Sequence, residues 1–201
     1  GALPIYKDTK TNEWVENDVL IALDDVLIQV EAKGGAAATI ASPALDFERH
    51  ARSVQDLVVK AYTQCERFLN YLNSDTTVPI FKFENGKYTE IAKITLANYR
   101  MVFPIGLTVE SFSPFSAMCK ELPEIASILN RYPFISLSID DLFILKRLFP
   151  STGSLIHYLE VRQAIAGIKG VKLYDEIDHA GAYIAKNRID DFLLEEKANT
   201  G

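Results

Sequence analysis

The chain has 201 residues, of which 48% are hydrophobic and 24% are charged, and its formal net charge is −6. This length allows one sizeable domain, or a core with an elaboration. The acidic balance argues against a nucleic-acid coat protein, whose affinity comes from many Lys and Arg contacts with phosphate.

Membrane and secretory signals are missing from the sequence. No apolar run approaches the roughly 20 residues of a membrane-spanning helix, and the N-terminus has no signal-peptide pattern. The two cysteines, Cys65 and Cys119, stand far apart and in no metal-binding spacing. We therefore expect reduced thiols, a cytoplasmic location and no membrane partner.

The first elements in chain order are a short strand and a hairpin. Residues 3–6 predict the strand. Two apolar runs, residues 19–23 and 26–30, then flank the dipeptide Asp24-Asp25, which is typical of a turn between antiparallel strands. If the two aspartates form a two-residue loop, Leu23 pairs with Val26 and the numbers of paired residues always sum to 49.

This register brings four charged side chains to one face of the hairpin. Asp18 lies directly opposite Glu31, and Glu16 lies directly opposite Lys33; since side chains alternate with period two, all four emerge on the same side. Like charges opposite each other destabilise a sheet by up to about 1 kcal/mol. The carboxylate pair therefore needs a cation, either Lys33 or a bound metal ion. Glu16 can also neutralise Lys33, which would make the face a self-contained salt-bridge ladder.

The remaining elements follow from hydrophobic periodicity and turn residues. Apolar residues at helical spacing predict an amphipathic helix over residues 46–72. The dipeptide Asn85-Gly86 favours a tight hairpin turn, with strands at residues 78–83, 88 onward, 91–96 and 101–109. After residue 113 we expect an extended segment at residues 134–138 and helices at residues 115–129, 140–149, 154–166 and 174–195.

This order of elements predicts an α/β fold with a mixed β-sheet and a mostly helical C-terminal half. We expect two parts. Residues 1–112 form an α/β core, and residues 113–201 form a helical extension that packs on the core.

Two carboxylates on adjacent strands are the hard oxygen ligands that Mg²⁺ prefers. A lysine two residues beyond one of them can orient an attacking water or offset charge in the transition state. The sequence resembles the PD-(D/E)xK, or restriction-endonuclease-like, superfamily in the order of three features. These are Asp18, then Glu31-Ala32-Lys33 at the end of an apolar strand, then a helix that carries Gln64.

The resemblance extends downstream. Three blocks look like segments of uncharacterised bacterial nuclease-like proteins, namely residues 135–142, 155–162 and 175–178. The resemblance implies a restriction-endonuclease-like mixed β-sheet core flanked by helices within residues 1–112.

The resemblance also implies an activity and a set of site residues. Members hydrolyse phosphodiester bonds with Mg²⁺ or Mn²⁺, so Asp18 and Glu31 would be metal ligands and Lys33 the water-positioning residue. Gln64 would be a second-shell or phosphate contact, although it can equally be a polar residue at a helix boundary. Many members carry a further glutamate on a helix before the first strand, and Glu16 is the residue here that can stand in for it.

Two functions are consistent with these residues. The leading one is a metal-dependent nuclease that acts on DNA. The sequence is compatible with a homodimer but does not decide the oligomeric state. The alternative is a catalytically inactive nuclease-like module that binds nucleic acid or protein, with the helical half as a surface for a protein partner.

A second acidic group is less informative. By residue type and spacing, this group could be a metal-binding cluster; it consists of Asp175, Glu176, Asp178 and His179. Acidic residues also stabilise the start of a helix through its dipole, and we favour that structural role.

Overall fold

The protein has a mixed α/β fold, seen in a computed structural model that describes residues 3–34, 47–109, 117–168 and 170–199. The strands are β1 (Ile5–Lys7), β2 (Trp14–Glu16), β3 (Val19–Leu23), β4 (Val26–Lys33), β5 (Val78–Glu84), β6 (Lys87–Ile94), β7 (Met101–Thr108) and β8 (Ile135–Ser138). The α-helices of the described ranges are α1 (Phe47–Leu72), α2 (Ile139–Leu148), α3 (Thr152–Ala166), α4 (Glu176–Lys186) and α5 (Ile189–Asn199). None of these helices is long and apolar enough to cross a membrane.

The strands form two four-stranded sheets. The first sheet has the order β2-β1-β5-β6, and all of its strand pairs are antiparallel. The second sheet has the order β3-β4-β7-β8, in which β4 is antiparallel to β3 but parallel to β7, and β7 is parallel to β8. Because β8 follows residue 113, the second sheet contains strands from both sides of the predicted domain boundary.

Helix α1 is the common core element of the two sheets. It starts and ends close to the predicted bounds of residues 46–72, although residue 46 lies outside the described residues. Its buried side chains recur every three or four positions and share one core cluster with Tyr6, Val78 and Ile80 of the first sheet and with Leu27 of the second. One helix face thus buries apolar surface against both sheets, which is the main stabilising contribution here.

Both predicted hairpins are confirmed. The β3–β4 pairing runs from Val19↔Val30 to Leu23↔Val26, and Asp24 takes a left-handed backbone conformation with φ 49° in the turn. In the β5–β6 turn both Asn85 and Gly86 have positive φ, 52° and 76°. Asn, Asp and Gly tolerate this conformation best, and it matches the twist of the flanking strands.

The predicted pairing of Glu16 with Lys33 is wrong. Glu16 belongs to β2 and pairs with Ile5 in the first sheet. The chain changes sheets at Asn17, which is fully buried; its backbone N–H donates to the Pro4 carbonyl at 2.8 Å. The hairpin ladder therefore ends before Glu16. The Glu16 side chain does not lie on the hairpin face that carries Lys33.

The helix predicted over residues 115–129 is wrong from residue 118 onward; residue 117 is helical, and residues 115 and 116 lie outside the described residues. Residues 118–134 hold a short 3₁₀ turn, Cys119–Glu121, and an isolated antiparallel bridge between Ile128 and Tyr132, and their backbone is otherwise irregular. Pro123 lacks the N–H that a helix needs and clashes with the preceding turn. Leu129 and Asn130 have positive φ, which no α-helix accommodates.

The helices of the C-terminal half begin at side-chain caps. Ser138 is the N-cap of α2, and it forms a reciprocal capping box with Asp141. Asp175 is the N-cap of α4 and accepts from the Asp178 N–H at 2.7 Å, so the helix-start interpretation of that acidic group is confirmed. The single helix predicted over residues 174–195 is two helices, because the backbone turns at Asn187 with φ 56°.

A buried ion pair joins α3 to α4. Arg162 Nε lies 3.0 Å from Glu176 Oε2, and both side chains are almost fully buried. The Tyr158 hydroxyl donates to the same carboxylate. His179 is buried beside them, where burial and the nearby Arg162 and Lys120 lower its pKa and keep the ring neutral.

The first prediction concerns this ion pair. Arg162→Met should lower the free energy of unfolding by about 3–5 kcal/mol, because it leaves the Glu176 carboxylate buried without its cation. The double variant Arg162→Met/Glu176→Gln should recover much of that loss. Urea unfolding measures both, and a double variant no more stable than the single one would contradict this account.

The second prediction concerns Gly106, which pairs with Glu31 across the second sheet. A Cβ atom added there would lie 2.9 Å from Ala61 Cβ and 2.5 Å from Phe134 Cζ. Gly106→Ala should therefore destabilise the protein by about 1–3 kcal/mol in urea unfolding. Gly181→Ala is the matched control: a Cβ there meets nothing within 4 Å, so it should stabilise the helix by up to about 1 kcal/mol.

Candidate active site

Three charged side chains meet at the open end of the β3–β4 hairpin. Lys33 Nζ lies 3.3 Å from Asp18 Oδ2 and 3.3 Å from Glu31 Oε2. The ammonium group also donates to the Ala32 carbonyl at 3.1 Å. Two carboxylates from different parts of the hairpin therefore converge on one cationic atom.

The alternation of β4 decides which of its side chains reach this site. Leu27 packs in the core cluster that contains α1, whereas Val26 packs in a second cluster with residues of α2 and α3. Residues at the odd positions 27, 29, 31 and 33, here called the inner row, therefore face α1. Glu31 is buried in this row, and Lys33 is half-buried at its end.

Asp18 is held in place by the backbone of β4. Its Oδ2 atom accepts a hydrogen bond from the Ala32 N–H at 2.8 Å. This side-chain bond joins the two strands beyond the last backbone pair of the hairpin. The strand pairing itself ends at Val19↔Val30, one position short of Asp18 and Glu31, so Asp18 reaches the site through its side-chain contacts with Ala32 and Lys33. Its side chain is 36% exposed, against 3% for Glu31, so one carboxylate faces solvent and the other faces the core.

Burial dominates the electrostatics of Glu31. Desolvation raises its pKa from 4.5 to about 7, and the Asp18 carboxylate adds to the rise. The Lys33 ammonium and the Gln29 amide oppose it by favouring the ionised form. A carboxylate with such a pKa is only partly ionised near neutral pH unless a further cation binds to it.

Cys65 lies on the face of α1 that packs against the inner row. Its Sγ atom lies 3.8 Å from the Ile105 carbonyl, to which the thiol donates. Burial and the nearby Glu31 carboxylate raise its pKa well above the usual range. Cys65 is therefore a protonated packing residue and not a thiolate nucleophile or metal ligand.

Gln64 is placed differently from the other three predicted site residues. Its side chain is exposed on α1, next to Cys65, which packs against the sheet. Among the described residues no hydrogen bond joins Gln64 to Asp18, Glu31 or Lys33. The structure thus assembles the carboxylates and the lysine, and the role of Gln64 stays a prediction.

Gln29 is a site neighbour that the motif did not include. It lies in the inner row two residues before Glu31 and is fully buried. Neither its amide nitrogen nor its amide oxygen makes a hydrogen bond of normal geometry, although the amide lies close enough to the Glu31 carboxylate to lower its pKa. A polar residue at an inward position of an otherwise apolar strand is the sequence signal that could have identified it.

Asp18 and Glu31 are the residues of this site that could hold a divalent cation. Within the described ranges no group of three or more His, Cys, Asp and Glu side chains converges, so the protein ligands would be two carboxylates. Mg²⁺ is commonly held by one or two carboxylates and keeps several waters. The Lys33 ammonium, placed between Asp18 and Glu31, shows that both oxygens can reach one positive charge.

Comparison of the chain with protein-family models, with curated proteins and with solved structures finds no match. The chemistry of the site is therefore what bears on function. It consists of a solvent-facing carboxylate, a buried carboxylate, a lysine that contacts both, and a buried amide.

The third prediction uses the pKa of Glu31. The unfolded carboxyl ionises near 4.5 and the folded one near 7, so between these pH values the folded state binds more protons and the free energy of unfolding falls as pH rises. From pH 4.5 to 8, wild type should lose about 3 kcal/mol relative to Glu31→Gln in urea unfolding without metal.

The exposed Glu84 provides the control for this measurement. Its pKa is lowered by the hydrogen bond from Lys82, so Glu84→Gln should not reproduce the effect. If the free energy of unfolding changes with pH equally in wild type and Glu31→Gln, the pKa of Glu31 is the same in the folded and unfolded states, which would contradict this account.

Proposed function

We propose that the protein is a Mg²⁺- or Mn²⁺-dependent nuclease that hydrolyses phosphodiester bonds of DNA on a restriction-endonuclease-like core. One observation carries the proposal. Asp18 Oδ2 and Glu31 Oε2, brought together by the hairpin register, each lie 3.3 Å from the same cationic nitrogen. Such convergence opposes folding by charge repulsion and desolvation, which is typical of a functional site.

Asp18 and Glu31 would hold the metal ion. When bound, the ion would act as a Lewis acid towards the phosphate and lower the pKa of a coordinated water. The half-exposed Asp18 leaves one side of the site open to solvent and substrate. The buried Glu31 is packed under α1, which limits the positions that its carboxylate can take.

Lys33 would act at the attacking water or at the phosphate. Its ammonium group already lies beside both carboxylates and is half-buried, so it can donate hydrogen bonds within the site. A cation in this place offsets negative charge that develops on the phosphoryl oxygens. Gln64, exposed on α1, is accessible to the substrate and would contact a flanking phosphate.

The order of elements supports the nuclease-like core. The Asp18 hairpin leads into the β4 strand with its Glu-x-Lys sequence, and β4 is followed by the long helix α1 and by a parallel neighbour strand, β7. This is the same order of residues on which the sequence resemblance rests. The buried, unpaired thiols Cys65 and Cys119 agree with a cytoplasmic location.

One observation favours the alternative function, an inactive nuclease-like module. Lys33 contacts both carboxylates and thereby supplies one positive charge to the pair without a metal ion. In this case the site would be a structural salt bridge. The protein would then bind nucleic acid, or a protein through its helical half, without hydrolysis.

The fourth prediction tests the nuclease. Wild type should cleave DNA in the presence of Mg²⁺ or Mn²⁺, and Lys33→Ala should reduce the cleavage rate by a factor of about 10² or more, because a positioned cation is lost. Lys93→Ala, at an exposed lysine paired with Glu90 on the first sheet, is the matched control and should cleave like wild type.

The assay also separates the two functions. Equal cleavage by wild type and Lys33→Ala would remove Lys33 from the mechanism. If well-folded wild type does not cleave DNA with either metal, the inactive module replaces the nuclease as the function.

A further inference from the structure

Gln29 combines complete burial with the lack of any hydrogen bond of normal geometry. Its exposed fraction is 0%, and neither Nε2 nor Oε1 has a hydrogen-bond partner. Buried amides in folded proteins are almost always paired, and each exception needs a physical explanation. Leu or Met would fill the same space without losing hydrogen bonds to water, so the amide opposes folding in the form of the protein described here.

The position of Gln29 points to the carboxylate site. It precedes Glu31 by two residues in the inner row, so the two side chains emerge on the same face of β4. Glu31 is flanked in this row by Lys33 on the solvent side and by Gln29 on the core side.

We propose that Gln29 is a positioning residue for a divalent cation at Asp18 and Glu31, an inference that rests on the proposed metal-dependent function. Nε2 donates to the Glu31 carboxylate and holds it in the orientation that binds the ion. Oε1 is then available to accept from a water of that ion. The amide thus gains its hydrogen bonds when the site is loaded, which accounts for its lack of partners without a cation.

Ser136 provides a matched comparison within the same sheet. Its hydroxyl is also fully buried and without a partner. Gly106 lies between Ser136 and Glu31 in the strand pairing, so two strand spacings, about 10 Å, separate their backbones. Removing this hydroxyl should therefore leave cation binding unchanged.

The fifth prediction compares Gln29→Met, Ser136→Ala and wild type in two measurements. Calorimetric titration with Mn²⁺ should give a dissociation constant that is about 10- to 100-fold larger for Gln29→Met than for wild type, as for other residues that orient a metal ligand. Ser136→Ala should bind Mn²⁺ like wild type. Without metal, the urea midpoint of Gln29→Met should equal or exceed that of wild type.

Each other outcome has a distinct meaning. Wild-type affinity for Mn²⁺ in Gln29→Met would overturn the role of Gln29 but leave the proposed function intact. A lowered urea midpoint in Gln29→Met would show that the amide serves the fold itself, which also overturns the inference. If wild type binds no Mn²⁺, the proposed metal site fails, and the role of Gln29 fails with it.

Discussion

The burial of one carboxylate, Glu31, under helix α1 is the constraint on which the site depends. Lys33 contacts this carboxylate, and the rest of the inner row, Leu27 above all, is packed against the helix. Gly106, beside Glu31 on the next strand, has no side chain and so allows Ala61 to approach the sheet. The close contact between helix and sheet and the perturbed carboxylate thus have one origin.

The two halves of the chain treat buried charge in different ways. Between α3 and α4, Arg162 lies within hydrogen-bonding distance of both oxygens of Glu176, and Tyr158 donates to the same carboxylate. In the inner row of β4, Glu31 shares one lysine with a second carboxylate, while the Gln29 amide has no partner. The Arg162–Glu176 pair thus has one cation for one carboxylate, although Arg162 Nη2 is buried without a hydrogen-bond partner. At Glu31 one lysine serves two carboxylates, so a bound cation can add the charge that this site lacks.

Local signals predicted much of the fold. The hairpin turns, the amphipathic α1 and the helix start at Asp175 depend on residues close together in the chain, so pattern and turn chemistry are sufficient. The predicted helix over residues 115–129 fails where Pro123 and two residues with positive φ interrupt an apolar segment. Apolar content alone does not distinguish a helix from a packed irregular loop, because both bury the same side chains.

By itself, the sequence determined the register of the β3–β4 hairpin and hence the meeting of Asp18, Glu31 and Lys33, since a two-residue turn and period-two alternation leave one pairing. Only the tertiary structure decided that Glu16 leaves this face, because two hairpins compete for it: β2 pairs with β1 instead of extending the β3–β4 ladder, and the Asn17 N–H donates to the Pro4 carbonyl. The packing of α1 likewise decided that Glu31 is desolvated and that Gln29 lies unpaired beside it. Burial depends on what covers a strand, and the strand's own residues do not specify that.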